Sequence, residues 1–385
     1  MENIRPATPS DLPELIKLVN AIFISEDKNS VWMEEKFPTF LSEKNLEHLY
    51  LQTDDGRPIS HAGYYSSSVI VDGALIHVGS IGSVCTHPDY RGHGIASLIL
   101  DEVEAMARQE GIEVLLVSGE RSLYLRRQCI QVGHFTEVTL ENIQPDPANR
   151  GAEVDLVEYN PDWLTSLEAV YAQEPVRFYR SLDEFGTLLS AGQKTFFNLD
   201  CKTYLIRDGE AARAYFSMTI RDGWAEAGEY AGDRRLLNQA FRQVMVKDSL
   251  RTLRIPLPSS DPLVPLLQGP CITQKPAKQL GTVKILNATA LMDSLRPYFL
   301  QHVPPSILNA MQWREQDGQV SLVCGGESLE FDDPTQLTRL VFGYEESTAM
   351  AEPIATFLAR HPEAGQFVSR ALPVPLPWAG NWNFI

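Results

Sequence analysis

Cysteine is scarce in this chain. The five present (Cys85, Cys129, Cys201, Cys271, Cys324) are odd in number, far apart and never in a Cys-x-x-Cys pair. Such spacing suggests neither a disulfide framework nor a zinc site, and reduced thiols in a reducing compartment are expected. The eight histidines are equally scattered, with no His-Glu-x-x-His, so no metal is required. Positive charge is short as well: 33 Lys and Arg stand against 50 Asp and Glu, a net charge of −17. A nucleic-acid binder needs a basic face to displace counterions, and that class is disfavoured. Net acidity either steers cationic partners such as polyamines or basic peptides, or serves solubility alone. No apolar run approaches 18 residues, and the opening MENIRPATPSDL has no basic stretch followed by an apolar block. A cytoplasmic protein with no membrane partner is expected.

What is present begins with length, since 385 residues exceed one ordinary core and suggest two or three domains. The most informative stretch is Ile81 to Ala96, IGSVCTHPDYRGHGIA. An apolar strand to Thr86 meets a His-Pro turn, then Arg91-Gly92-His93-Gly94-Ile95-Ala96, then a helical pattern through Glu110. Glycines between a strand and a helix let bare N–H groups converge on an anion at the positive helix end. A Walker loop would need Lys-Ser/Thr after its last glycine, and a dinucleotide turn a third glycine where Ser97 stands. What remains is Arg-x-x-Gly-x-Ala after Val-x-Thr-x-Pro. Here the sequence resembles the GCN5-related N-acetyltransferase (GNAT) superfamily, whose motif holds the acetyl-CoA pyrophosphate.

The flanking pattern agrees with that resemblance. A strand at Asn3 to Arg5 precedes a helix with Leu12, Leu15, Ile16, Val19 and Ile22 on one face and Ser10 or Asp11 as N-cap. A second helix is expected within Val31 to Glu47. Strands follow at His48 to Gln52, Ile59 to Ser68 and Val69 to Thr86, with tight turns at Asp54-Asp55-Gly56-Arg57 and Asp72-Gly73. The helix after the glycine turn stops at Gly111, and Ile112 to Val117 reads as a buried strand. Arg126 and Arg127 are expected to be solvated or to face phosphate. Turn formers from Gln144 to Gly151 mark a boundary. Residues 152–278 then repeat the coarse order of the first part, but Glu229 to Leu236 lacks the glycine motif, so a second such unit without its own CoA site is inferred. Gln268 to Gly281 reads as a linker. The remainder opens with Val283 to Leu286, continues in short strands near Val320 to Cys324 and Leu329 to Phe331, and has helices at 334–342 and 350–360. A Pro-rich run from Leu372 leads to Asn381-Trp382-Asn383-Phe384-Ile385.

This layout resembles the enhanced intracellular survival (Eis-type) family of bacterial N-acetyltransferases over the full length, most specifically at Val84 to Gly94 and Ser118 to Tyr124. The resemblance implies an α+β protein with mixed sheets: a catalytic GNAT domain (1–150), a degenerate GNAT domain (151–278) and a small sterol-carrier-like domain (279–385). It also implies backbone contacts to acetyl-CoA, the co-substrate, from Val84, Cys85 and Thr86. Pyrophosphate contacts would come from Arg91, Gly92, His93, Gly94, Ile95, Ala96 and Ser97, with Gly119 and Glu120 beside the pantetheine arm. Tyr124 would be the general acid and the α-carboxylate of Ile385 the general base, with His87 and Glu120 as nearby alternatives. Relatives end in phenylalanine rather than isoleucine. Cys85, isolated on an apolar strand, reads as packing rather than a nucleophile.

The expected activity is transfer of acetyl to a primary amine, whether aminoglycoside-like, polyamine or lysine-bearing. A homo-oligomer, trimer or hexamer, is the assembly the resemblance implies. The alternatives are an apolar-ligand carrier or CoA-sensing binding protein without turnover, and a purely structural role.

Overall fold

The structure, a computed structural model, describes residues 3–24, 31–143, 153–316, 318–343, 352–377 and 380–383. Its first part comprises strand β1 (Arg5–Pro6), helices α1 (Leu12–Phe23) and α2 (Met33–Lys36), and strands β2 (Leu49–Asp54), β3 (Arg57–Val71) and β4 (Ala74–Thr86). Helix α3 (Ile95–Gln109), strand β5 (Val114–Val117), helix α4 (Ser122–Leu125) and strand β6 (Phe135–Glu141) follow. The long antiparallel pair β3–β4 is closed by Asp72-Gly73, both with positive φ, as the turn signal predicts. The helix expected within Val31 to Glu47 is only the four residues of α2 and a 3₁₀ turn at Glu43–His48. Asp11 stands at the N-cap of α1, but its carboxylate accepts from both guanidinium nitrogens of Arg5 and from the Thr8 amide instead of capping the helix.

The second part runs through β7 (Asp155–Glu158), α5 (Leu164–Tyr171), β8 (Val176–Phe178), α6 (Leu182–Gly192), β9 (Asp200–Asp208), β10 (Ala211–Arg221), β11 (Trp224–Gly232), α7 (Arg234–Lys247), β12 (Thr252–Pro258) and β13 (Ile272–Ala277). The stretch read as a linker thus contains a strand. β13 is exposed along most of its length and gives no apolar alternation, which is why its sequence passes for a connection.

The third part holds β14 (Thr282–Ile285), α8 (Ala288–Ser294), α9 (Arg296–His302), α10 (Pro305–Asn309), β15 (Met311–Gln316), β16 (Gln319–Cys324), β17 (Glu327–Phe331), α11 (Pro334–Phe342), α12 (Glu352–Arg360) and α13 (Pro362–Ala371).

Sheet membership does not follow chain order. The first sheet is ordered β1-β2-β3-β4-β5-β14, with β8 added to the far end of β3. The second is β13-β6-β12-β11-β10-β9-β7, so β6 leaves the first part and lies between two strands of the second. β15–β17 form a separate antiparallel sheet. One face of the first sheet (Val69, Ile76, Val78, Val114) shares a single apolar core with Leu291, Leu295, Phe299, Val341 and Phe367 of the third part. The buried Glu113 carboxylate ties the two together, accepting from the His77 amide and from the Ser294 hydroxyl at 2.6 Å.

Within the second part lies a buried ion pair that also holds the segment 380–383. Arg180 donates from both terminal guanidinium nitrogens to Glu229 at 2.9 and 2.8 Å, and its Nε donates to the Asn383 side-chain oxygen at 2.6 Å. Burial opposes the charge of Arg180, but the adjacent Glu229 outweighs it and the guanidinium pKa rises. The Trp382 amide donates to Glu229 at 3.1 Å, and its ring stacks on Tyr215 and meets Phe185 edge-on. The segment 380–383 is thereby fastened to the second sheet. Replacing one partner of such a pair strands the other charge in an apolar site, so Glu229→Gln should lower unfolding stability by about 3–5 kcal/mol in urea titration. The joint Arg180→Met, Glu229→Leu variant should lose much less.

Candidate functional site

β4 and β5 run parallel for only four pairs, Val78 to Ile81 against Val114 to Val117. β5 then ends, whereas β4 continues to Thr86. Beyond Ile81, the edge of β4 facing away from β3 has no partner strand among the described residues. On its other edge the register steps from Gly63↔Gly82 to His61↔Cys85, so Ser83 and Val84 face the single residue Ala62. This is a β-bulge, with Ser83 at φ +50°, and it re-aims main-chain groups at the point where the strands part. The strand end is held by Ser60, whose hydroxyl lies 2.9 Å from the Cys85 carbonyl and 2.8 Å from Thr86 Oγ1.

The glycine turn follows. Tyr90 donates to Asp54 at 2.6 Å, fixing the turn against the β2–β3 hairpin, and Arg91 Nε donates to the Thr86 carbonyl at 3.1 Å. Gly92 and Gly94 have φ of +82° and +76°, and a Cβ on either would meet nothing within 4 Å. Their need for glycine is conformational, and the space beside them is open. Gly94 caps α3, its carbonyl accepting from the Ser97 and Leu98 amides, while the first amides of the helix have no intrahelical acceptor. An open cradle of amides at a positive helix end fits a pyrophosphate.

Tyr124 borders the splay from the β5 side. Its ring packs so closely on Gly119 that a Cβ there would lie 2.9 Å from Cε2. Burial raises the phenol pKa, so the hydroxyl keeps its proton at neutral pH. The Gly119 carbonyl accepts from Thr282 at 2.9 Å, and the exposed Glu120 accepts from Gln131 at 2.9 Å. Where the strands part lies a hollow of about 30 Å³, walled by Ser80, Val117, Ser118, Phe178, Gln279 and Asn383 among others.

The structure thus gathers Val84, Cys85, Thr86, Gly119 and Tyr124 around one gap, with Arg91 to Ser97 at its open end. Cys85 is buried and its thiol is pushed up to about 12 by that burial, which leaves no thiolate at neutral pH. Arg127 does not face phosphate: it donates to Glu104 at 2.6 Å and Asp101 at 2.7 Å, clamping α3. His87 lies four residues past the bulge, roughly 13 Å along an extended strand, and bonds to the Asp89 amide. Ile385 lies outside the described residues.

Three features escape sequence reasoning. The bulge at Ser83 has no residue signature. Tyr65 of β3 donates to Glu184 of α6 at 3.2 Å across 119 positions, and burial raises that carboxyl's pKa. Gln279 sits in what reads as a linker.

Residues 3–129 match the acetyltransferase (GNAT) domain family. The chain carries an N-acetyltransferase domain. None of the curated protein sequences matches it. Among solved structures, a GCN5-related N-acetyltransferase from Anabaena variabilis has the same fold over 100% of both chains, at TM-score 0.69 and 14% identity. One from Kribbella flavida covers 100% of this chain and 98% of its own at 0.65 and 14%. Eis1 from Mycobacterium abscessus covers 98% and 99% at 0.64 and 12%. The mixed α+β architecture of the acetyltransferase domain and the parts that follow it is therefore a shared fold. GNAT domains use acetyl-CoA or another acyl-CoA. No helix among the described residues is long and apolar enough to cross a membrane.

Within the acetyltransferase domain, His61 of β3 pairs with Cys85 beside the bulge and is fully buried, with Nδ1 on the Tyr50 carbonyl at 2.8 Å. Burial holds its pKa at about 4. The folded state therefore binds fewer protons than the unfolded one between about pH 6.5 and 4, so its stabilising effect is complete above that window and lost as pH falls through it. Urea titrations should show roughly 2–3 kcal/mol lost across the window. His61→Gln should flatten that dependence.

Proposed function

We propose that the chain transfers acetyl from acetyl-CoA to a primary amine of a small molecule or peptide by direct attack. The observation that carries this reading is the conjunction, within one sheet, of an open glycine cradle, a bulged unpartnered strand edge and a protonated tyrosine. In it, Gly92 to Ser97 take the pyrophosphate through main-chain amides, aided by the positive end of α3, with Arg91 and His93 beside them. Val84, Cys85 and Thr86 border the pantetheine along the strand edge that β5 leaves, and Gly119 and Glu120 border the same arm. A main-chain N–H at the bulge polarises the thioester carbonyl.

The neutral amine attacks that carbonyl, the new C–N bond forms and the C–S bond breaks. Tyr124 gives its proton to the departing sulfur, and a base removes one from nitrogen. The base in this reading is the carboxylate of Ile385. Support comes from the fastening of segment 380–383, which sets Asn383 in the wall of the splay two residues short of Ile385. Net acidity of the chain favours cationic acceptors at long range.

The same reading divides the chain into a catalytic domain (1–150), a degenerate GNAT domain (151–278) and a sterol-carrier-like domain (279–385), although β6 and β14 each complete the sheet of a neighbouring domain. It keeps the Eis-type assignment and the homo-oligomer. The second domain's cradle is filled from within: Glu174 accepts from the Gly232 amide at 2.7 Å and from Arg234, itself paired with Asp261. Its own bulge, at Gly228 of β11, is covered by the Gly380 carbonyl. The carrier alternative gains little from the hollow of about 270 Å³ between α8, α9 and β15, whose wall includes Asp293, Arg296 and Gln312.

Mixing the protein with acetyl-CoA and a panel of amines should release free thiol above background, and no release across the panel would reject the reading. Tyr124→Phe should lower kcat by about 10²-fold while leaving the affinity for CoA within twofold. Gly94→Val places a β-branched residue at positive φ, so calorimetry should show CoA binding weakened at least about tenfold, with circular dichroism unchanged.

A further inference from the structure

We infer that Gln279 is the residue that holds the acceptor nitrogen: its side-chain oxygen accepts an N–H of the incoming amine at the parting of β4 and β5. The inference rests on the proposed acetyl transfer and names the contact that would select the acceptor. Gln279 is 4% exposed, yet its Oε1 has no hydrogen-bond partner among the described residues. Buried carbonyl groups are nearly always satisfied, and one left open destabilises the fold. A leucine would fill the same volume without that penalty, so the orphan oxygen is explained by something that arrives.

Its position is set by the backbone. Two residues on, Gly281 has φ +86° and comes so close to β5 that a Cβ would lie 2.1 Å from the Val117 carbonyl. β14 then pairs with β5 from Thr282↔Val117 onward. The amide of Gln279 is thereby pinned at the end of β5, in the wall of the hollow that also contains Ser80, Ser118, Asn381 and Asn383. Among the described residues the groups that line it are all neutral.

That chemistry has a direct consequence. A neutral carbonyl oxygen accepts one N–H of the free amine and leaves the lone pair available. At about 30 Å³ the hollow admits a single water-sized group. An unhindered primary amine head is the acceptor group this inference assigns to it, and an N-methyl amine is the contrasting probe.

The test compares steady-state kinetics of the full chain with Gln279→Leu and Gln279→Glu, using acetyl-CoA, the best primary amine of the panel and its N-methyl derivative. Gln279→Leu should raise KM for the primary amine at least tenfold, leave CoA affinity by calorimetry within twofold, and keep or raise Tm, because an unsatisfied buried oxygen is gone. Gln279→Glu should move the rising limb of kcat/KM to higher pH, since the carboxylate stabilises ammonium. An unchanged KM in Gln279→Leu, as expected if the oxygen holds only a water, or a lowered Tm with unchanged KM, as expected of a structural role, overturns the assignment. The unsubstituted chain separates the two levels: its failure to turn over any amine sinks the proposed function, whereas turnover that ignores Gln279 sinks this inference alone.

Discussion

Two parallel strands that exchange hydrogen bonds over four residues and then separate leave main-chain donors and acceptors in need of partners. β4 accepts this along its last five residues, because β5 stops at Val117. Backbone groups inside a protein are satisfied by sheet, side chain, water or ligand, and here the sheet declines the role. The bulge at Ser83 makes the condition permanent, since a register containing two residues against one cannot slip back into a regular ladder without turning every following side chain to the other face. Cys85, Ser60 and His61 hold that register in place: Cys85 as apolar filling, Ser60 through its hydroxyl, His61 as a neutral imidazole. The chemistry assigned to the site depends on this unpaired edge more than on any one side chain.

Much of the frame is legible in the sequence because it is local. The Asp72-Gly73 turn, the glycine pair before α3 and the stop at Gly111 each announce a backbone conformation that few other residues adopt, and the structure gives all four glycines positive φ. The helical faces of α1 and α3 follow from apolar spacing that a buried stripe demands. What the sequence hides is non-local. The partners of β6 are β12 and β13, more than a hundred residues downstream, and no periodicity within Phe135 to Glu141 distinguishes one sheet from the other. The same holds for Arg180 and Glu229, whose attraction is visible only once both are buried. α2 shows the opposite failure: Trp32, Phe37 and Leu41 suggest a longer helix, but Trp32 is exposed, Phe37 half-buried and Leu41 buried in a segment with only four helical residues before the 3₁₀ turn.

The second part presents the same frame with each opening closed. β11 and β12 also pair in parallel only briefly, from Trp224↔Thr252 to Glu226↔Arg254, and β11 also carries its extra residue beside the parting. Where the glycine turn before α3 is open, the amide of Gly232 before α7 is taken by the Glu174 carboxylate. Where the first strand edge is open, the carbonyl of Gly380 rests on Gly228 and Trp382 binds Glu229. A helix end filled by the chain's own carboxylate needs no further anion for its stability. The segment that closes the second parting is the one that reaches Ser80 and Ser118 at the first. A tail must be anchored to be positioned, and the second sheet supplies segment 380–383 with a buried aromatic and ionic anchor beside the first.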